Sequence, residues 1–321
     1  MTDISKTLRD VTLRQLKTFK SVATAGGISA AARELHLTQP AVSMQLKELE
    51  GSCGVTLYER SGRSIQLTTA GETVLNTATA ILDTLRNTQE TLDGMIGLKT
   101  GVLKLATVST AKYFAPSILS AFRSEHPEIN VQLVVGNRQE IIDLLNKNTC
   151  DLVIMGTPPV EVETKAIKFA SHPQVIIAAK DHPLSKERDI SLKTLRKESF
   201  VIREMGSGTR AIMERYFSDN KFDYQTAMEA SSNETIKQAV IAGMGLSFIS
   251  KHTIALEIAA KRLSILDIRG MPLVRSWHAI CRADKIFSPA AQAFFDYLIS
   301  NGEICLKKSL SIPSRKKIRF T

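Results

Sequence analysis

From Gly101 onward, apolar residues fall into short unbroken runs separated by amphipathic stretches, and that order leaves few folds open. VLKLATV, INVQLVVG and DLVIMG read as buried strands, with the helical patterns YFAPSILSAFRSEHP and RQEIIDLLNKN between them. A strand, helix, strand, helix, strand order returns each strand in the same direction and so calls for a parallel sheet flanked by helices. A second set follows: VIIAA, FVIRE, a helix from about Ser207, AMEA, a helix from Glu234 to Ala242, and LSFIS. WHAICRAD then reads as a strand and PAAQAFFDYLIS as a helix able to return to the first half. Residues 100–304 are thus expected to form two α/β lobes around a cleft.

Ligands of such sheets lie beyond the carboxyl ends of strands, where helix N-termini present free N–H groups. Three junctions suit that role: Ser109, Thr110 and Lys112 in VSTAKYF, Asn137 and Arg138 in VGNRQE, and Arg203, Gly206, Ser207, Gly208, Thr209 and Arg210 in REMGSGTR. The last is the strongest, because its glycines admit backbone amides to an anion that the arginines would neutralise. A Gly-Ser turn that only caps a helix would read the same way. The P-loop pattern is absent. The six histidines form no HExxH pair, no GxSxG elbow exists, and Cys53, Cys150, Cys281 and Cys305 have no paired metal spacing. No catalytic residue, metal or cofactor is therefore expected.

The first hundred residues have a different texture. Thr12 and Gln15 form a potential capping box ahead of Leu13, Leu16, Phe19 and Val22, and the helix they start ends at Gly26-Gly27. Ser29 is placed to cap a second helix, SAAARELHL, and Thr38 a third, with Pro40 in its first turn where a missing N–H costs little. Setting Val42, Leu46 and Leu49 in the core turns Pro40, Ser43, Met44 and Lys47 outward. Two helices joined by a tight turn, the second presenting small polar and basic groups, have the proportions of a helix-turn-helix. An ordinary amphipathic surface helix fits this segment equally well. Beyond it, Leu57-Tyr58 and Ile65-Gln66-Leu67 read as two strands of a wing whose tip carries Arg60 and Arg63, suited to neutralising DNA phosphates.

AARELHLTQPAVSMQLKELE followed by LYERSGRSIQLTTAGE resembles the winged helix-turn-helix of LysR-type transcriptional regulators. The resemblance implies DNA contacts from Thr38, Gln39, Pro40, Ser43, Met44 and Lys47, with Arg60 and Arg63 on the wing. Met44 stands where many members carry an arginine, and Cys53 replaces a usual leucine. The same family has a two-lobed effector domain similar to periplasmic binding proteins. That implies cleft residues among Ser109, Thr110, Thr209 and Asn233. LRQLKTF, VSTAKYFAP and MGSGTR look closest to regulators of the carbon dioxide fixation operon, which implies a small anionic metabolite as effector. The alternatives are the same architecture regulating another metabolic regulon, or a small-molecule-binding protein or enzyme of the two-lobed fold.

Thr69 with Glu72 is a second potential capping box, opening a helix to about Ile96. Leu75, Ala78, Leu82, Leu85, Gln89, Leu92 and Ile96 alternate steps of three and four, a seam for a partner helix. A dimer, or a tetramer built from it, would set two recognition helices on dyad-symmetric double-stranded DNA, with RNA polymerase a candidate partner. The net charge of +10 agrees with an anionic partner, though six of those charges lie in the last fifteen residues, KKSLSIPSRKKIRF among them. The expected organisation is α+β overall: a winged helix-turn-helix over 1–69, a linker helix over 70–99, the effector domain over 100–304 and a basic, disordered tail over 305–321. No apolar run reaches the ~20 residues of a membrane span, so a cytoplasmic location is expected.

Overall fold

The computed structural model describes residues 10–61, 64–95 and 101–311, in two compact units that divide between Leu92 and Asp93. In the first unit, α1 (Leu13–Ala25) starts from the full Thr12–Gln15 capping box and stops at Gly26, whose φ of +73° is left-handed. Helix α2 (Ile28–Glu34) follows from Gly27 with no side-chain cap. Ser29 lies inside its first turn, so the expectation that Ser29 caps it is corrected: the cap position falls two residues earlier, on Gly27. Helix α3 (Gln39–Cys53) is capped by Thr38, whose Oγ1 accepts from the Ala41 N–H. Leu16, Phe19, Val22, Ala31, Val42, Leu46, Leu49 and Leu57 form one buried cluster. Gln45 is buried with them, and the Thr18 hydroxyl donates to its Oε1 at 2.5 Å.

Strands β1 (Tyr58–Ser61) and β2 (Ser64–Leu67) pair antiparallel, Tyr58 opposite Leu67. Helix α4 (Thr69–Met95) comes next, capped by Thr68 and not by Thr69: the Thr68 Oγ1 accepts from the Gly71 N–H at 3.0 Å. Gly71 is required there, because a Cβ would stand 1.9 Å from the Leu57 carbonyl oxygen. Ile81, Leu85 and Leu92 of α4 are exposed, and the Ile96 end of the expected seam lies outside the described residues.

The second unit opens with β3 (Gly101–Val108), α5 (Ala115–Glu125), β4 (Ile129–Gly136), α6 (Arg138–Asn146) and β5 (Leu152–Met155). Strand β3 lies between β4 and β5 and is parallel to both, as the β-α-β-α-β order demands. Then come β6 (Thr164–Ala179), β7 (Ser199–Arg203), α7 (Gly208–Asp219), β8 (Gln225–Ala230), α8 (Asn233–Ile241), β9 (Ser247–Ser250), α9 (Ala255–Ala259), β10 (Leu263–Ile265), β11 (Leu273–Arg282) and α10 (Pro289–Leu310). The main sheet runs β10-β6-β11-β5-β3-β4, with β9 also on β6, while β7 and β8 form a parallel pair. Strands β6 and β11 are long enough to serve both lobes. One core gathers Phe114, Phe122, Trp277 and Phe294, the other Phe200, Phe217, Phe222 and Phe248.

Two sequence boundaries move. Strand β6 begins eleven residues before Val175, because TKAIKFASHPQ is half exposed and offers no unbroken apolar run; Pro173 sits within it opposite Val274. The tail expected from residue 305 does not start there. Helix α10 continues to Leu310, since Leu298, Gly302 and Leu306 extend one buried stripe at steps of four and Lys307 pairs with Glu303 at 2.9 Å. Residues 312–321 lie outside the described residues. Among those described, no helix is long and apolar enough to cross a membrane.

Candidate functional site

Helix α3 divides by chemistry. Val42, Leu46 and Leu49 are sealed against α1 and α2, while Thr38, Gln39, Pro40 and Lys47 are exposed, Met44 is 58% exposed and Ser43 is half-buried. The outward set thus forms one face at the front of a rigidly seated helix, with amide, hydroxyl and ammonium groups able to meet base edges and phosphates. Arg60 belongs to β1, but its side chain, like the whole of Arg63, lies outside the described residues.

The second unit has a cleft enclosing about 320 Å³ between its lobes, reached by Ser109, Thr110, Asn137, Arg138, Ser207 and Thr209. All three junctions chosen from sequence therefore meet. Ser109 and Thr110 follow β3. Asn137 caps α6, its Oδ1 accepting from the Glu140 N–H at 3.0 Å while Glu140 Oε2 accepts from the Asn137 N–H at 2.7 Å. Ser207, Gly208 and Thr209 form the start of α7, a twelve-residue helix with no side-chain cap, so its leading N–H groups remain open to an anion. Gly206 takes a φ of +82° to make this turn.

Arg138 reaches into the same space and donates to the carbonyl oxygens of Thr157 and Pro158, and among the described residues no carboxylate forms an ion pair with it. Burial lowers its pKa from the ordinary arginine value. Arg203, at the end of β7, is only 3% exposed and grips Glu204 by two bonds of 2.7 and 2.8 Å. It also donates to Asn233 Oδ1 at 2.8 Å and, across the lobes, to Ser109 Oγ at 3.2 Å. A second bond joins the lobes where the Tyr113 hydroxyl donates to Glu234 at 2.6 Å, with the Lys237 ammonium 4.8 Å from the Tyr113 ring.

Besides Gly206 of the turn, three sequence candidates do not line the cavity. Arg210 turns away from Thr209 along the helix and is held by Glu214 at 2.7 Å and Glu229 at 2.5 Å, so its charge is already answered. Lys112 lies on a 3₁₀ turn with its ammonium 5.3 Å from the Tyr113 ring. Asn233 stands one residue behind the wall, touching it through Arg203. Conversely, His172, Arg215, Tyr216 and Arg275 line the cavity but were not chosen. Only long-range strand pairing brings His172 and Arg275 face to face, one on β6 and the other on β11, and no short motif announces it.

His172 forms part of the cleft floor, stacked on Trp277 with ring centroids 3.8 Å apart. The Gln174 amide nitrogen lies 2.7 Å from its Nε2. Burial, then the positive fields of His252 and Arg275, hold His172 well below the usual histidine range. Behind Trp277, His252 Nδ1 accepts from the indole N–H at 3.0 Å, and burial lowers its pKa to about 4. Both rings are neutral at pH 7 and leave the cleft charge to its arginines. Hydroxyls, open N–H groups and arginines around a cavity of this size suit binding of a small anion.

Comparison with known proteins adds identity to this geometry. Residues 13–72 match the model of the bacterial regulatory helix-turn-helix protein, lysR family, and residues 97–303 match the LysR substrate binding domain. A RuBisCO operon transcriptional regulator of Allochromatium vinosum is 46% identical over 290 residues, covering 90% of this chain and 96% of the relative. The HTH-type transcriptional activator CmpR of Synechocystis is 44% identical, covering 92% and 97%. Among solved structures, the Synechocystis CcmR regulatory domain in complex with 2-PG is 40% identical, with a TM-score of 0.61 over 63% of this chain and 97% of that one.

Proposed function

The chain belongs to the LysR family of bacterial helix-turn-helix regulators, and from that premise we propose that it controls carbon dioxide fixation genes in response to a small phosphorylated acid. The observation that carries the effector half is the cleft: an uncapped α7 N-terminus, buried hydroxyls of Thr110, Ser207 and Thr209, and Arg138 held by carbonyls. The 2-PG complex of a 40% identical regulatory domain supports the same chemistry. The exposed face of α3 and the wing arginines Arg60 and Arg63 carry operator binding, and Ile81, Leu85 and Leu92 on α4 suit a second copy of the chain. The protein acts in the cytoplasm by binding and not by catalysis.

An effector can change operator affinity only by binding one arrangement of the effector unit better than another. The two interlobe bonds, Ser109 to Arg203 and Tyr113 to Glu234, are the contacts whose making and breaking would distinguish such arrangements. The test is footprinting on DNA upstream of carbon dioxide fixation genes, over a series of salt concentrations with and without 2-PG. Affinity should fall with slope ~0.9 per phosphate contacted, and 2-PG should alter the footprint. Protection that ignores both salt and 2-PG would refute the assignment.

A further inference from the structure

We propose that Met44 is a specificity-determining residue of the recognition helix, and that it packs on the 5-methyl group of one thymine in each half of the operator. This deepens the operator-binding reading above and rests on it. Met44 lies two residues after Val42 and two before Leu46, hence about 200° around the α3 axis from each, and points straight away from the buried stripe. It is 58% exposed and sits in the second turn of the helix. Pro40, one turn earlier, and Lys47, one turn later, share its face and are exposed as well. Glu48 flanks them, but its carboxylate accepts from the Gln15 amide at 3.1 Å and is drawn toward α1.

A recognition helix meets base edges through its N-terminal residues, and Met44 is among them. Gln39 and Ser43 can bond to those edges and Lys47 to a phosphate. A thioether has no hydrogen to donate and is a weak acceptor, so Met44 gains nothing from the donors and acceptors that line the major groove. The thymine 5-methyl is the one apolar group the bases present there. A long, unbranched and polarisable side chain can lie against it and remove both surfaces from water. Pro40, the other apolar side chain on this face, is a short ring fixed in the first turn and reaches less far. A protein partner fits the surroundings poorly, because Gln39 and Lys47 leave no contiguous apolar patch around Met44. Among the bases, thymine therefore gives this side chain its best complement.

The test uses a duplex that the full chain selects from a random pool, with each thymine replaced in turn by deoxyuridine, which lacks only the methyl. In each half-site one replacement should weaken binding of the native chain about fourfold, the worth of one buried methyl. Met44→Ala should bind the unmodified duplex more weakly by about the same factor per half-site and be indifferent to that replacement. Met44→Leu, which keeps an apolar reach, should retain the dependence. The side chain is exposed and alanine favours helix, so Met44→Ala should melt with the native chain. Its loss of affinity should be the same at low and high salt, because no counterion is released by an uncharged contact; a loss that faded as salt rose would overturn the proposal. So would a native chain indifferent to every replacement, or one that loses no more than Met44→Ala at each thymine, and operator binding itself would then still stand. If no duplex is selected at all, the operator reading falls and the thymine contact with it.

Discussion

Replacing Glu204 by Gln should destabilise the effector unit and tighten anion binding at once. Glu204 gives Arg203 two bonds of 2.7 and 2.8 Å, and the arginine is 3% exposed. Removing one partner of a buried pair costs about 3–5 kcal/mol. Glutamine keeps one acceptor, and Asn233 and Ser109 still hold the guanidinium, so about 2 kcal/mol is expected. For a unit of this size that lowers the melting temperature by about 4–8 °C. The guanidinium charge, no longer cancelled, then faces the cleft. At roughly 1 kcal/mol of added attraction, 2-PG should bind about fivefold more tightly. Part of the lost melting temperature should return as 2-PG is added, because ligand binding only the folded state stabilises it by mass action. Thermal unfolding with and without 2-PG, beside a direct titration, separates the two effects. A variant that melts like the native chain, or that binds 2-PG more weakly, would show that Arg203 is not a charge held in check.

Arg210→Ala should leave 2-PG affinity within about twofold, since Arg210 is occupied by Glu214 and Glu229; a tenfold loss would return it to the site. Leu46→Ala empties a fully enclosed position in the helix-turn-helix core and should cost about 3 kcal/mol in urea unfolding; an unchanged midpoint would contradict the packing that leaves Gln39 and Met44 outside. Burial holds His172, His252 and His278 below 6.5 in the folded state. At higher pH the rings are neutral whether folded or unfolded, but below 6.5 the unfolded chain takes up protons that the folded one refuses, so stability falls with falling pH. For His252, whose pKa is about 4 when folded, the loss develops between 6.5 and 4 and reaches about 3 kcal/mol. Equal stability of the effector unit at pH 7.5 and pH 5 would refute this.

Local chemistry was legible in the sequence wherever a side chain and its partner are near neighbours. The Thr12–Gln15 box, the Thr38 cap and the Val42, Leu46, Leu49 stripe follow from spacing alone, and the structure places them accordingly. The β-α-β-α-β order fixed the parallel sheet for the same reason. What escaped depends on distant partners. Arg210 looks like an anion ligand until Glu229 of β8 is seen beside it, and Arg275 looks like a surface arginine until β11 sets it opposite His172. Ser29 and Thr69 failed more modestly, each lying within a residue or two of the group that starts its helix.

The position of β11 has a consequence for how the protein is made. The strand lies between β6 and β5, yet it is the last to leave the ribosome. Until Arg282 has emerged, a nascent chain carries β5 and β6 with exposed backbone edges on both sides of an empty slot, and Trp277 is missing from beneath His172. The effector cleft is thus finished only when translation of the sheet is finished, and chains stalled before Leu273 should be recognised by protease and ignored by 2-PG.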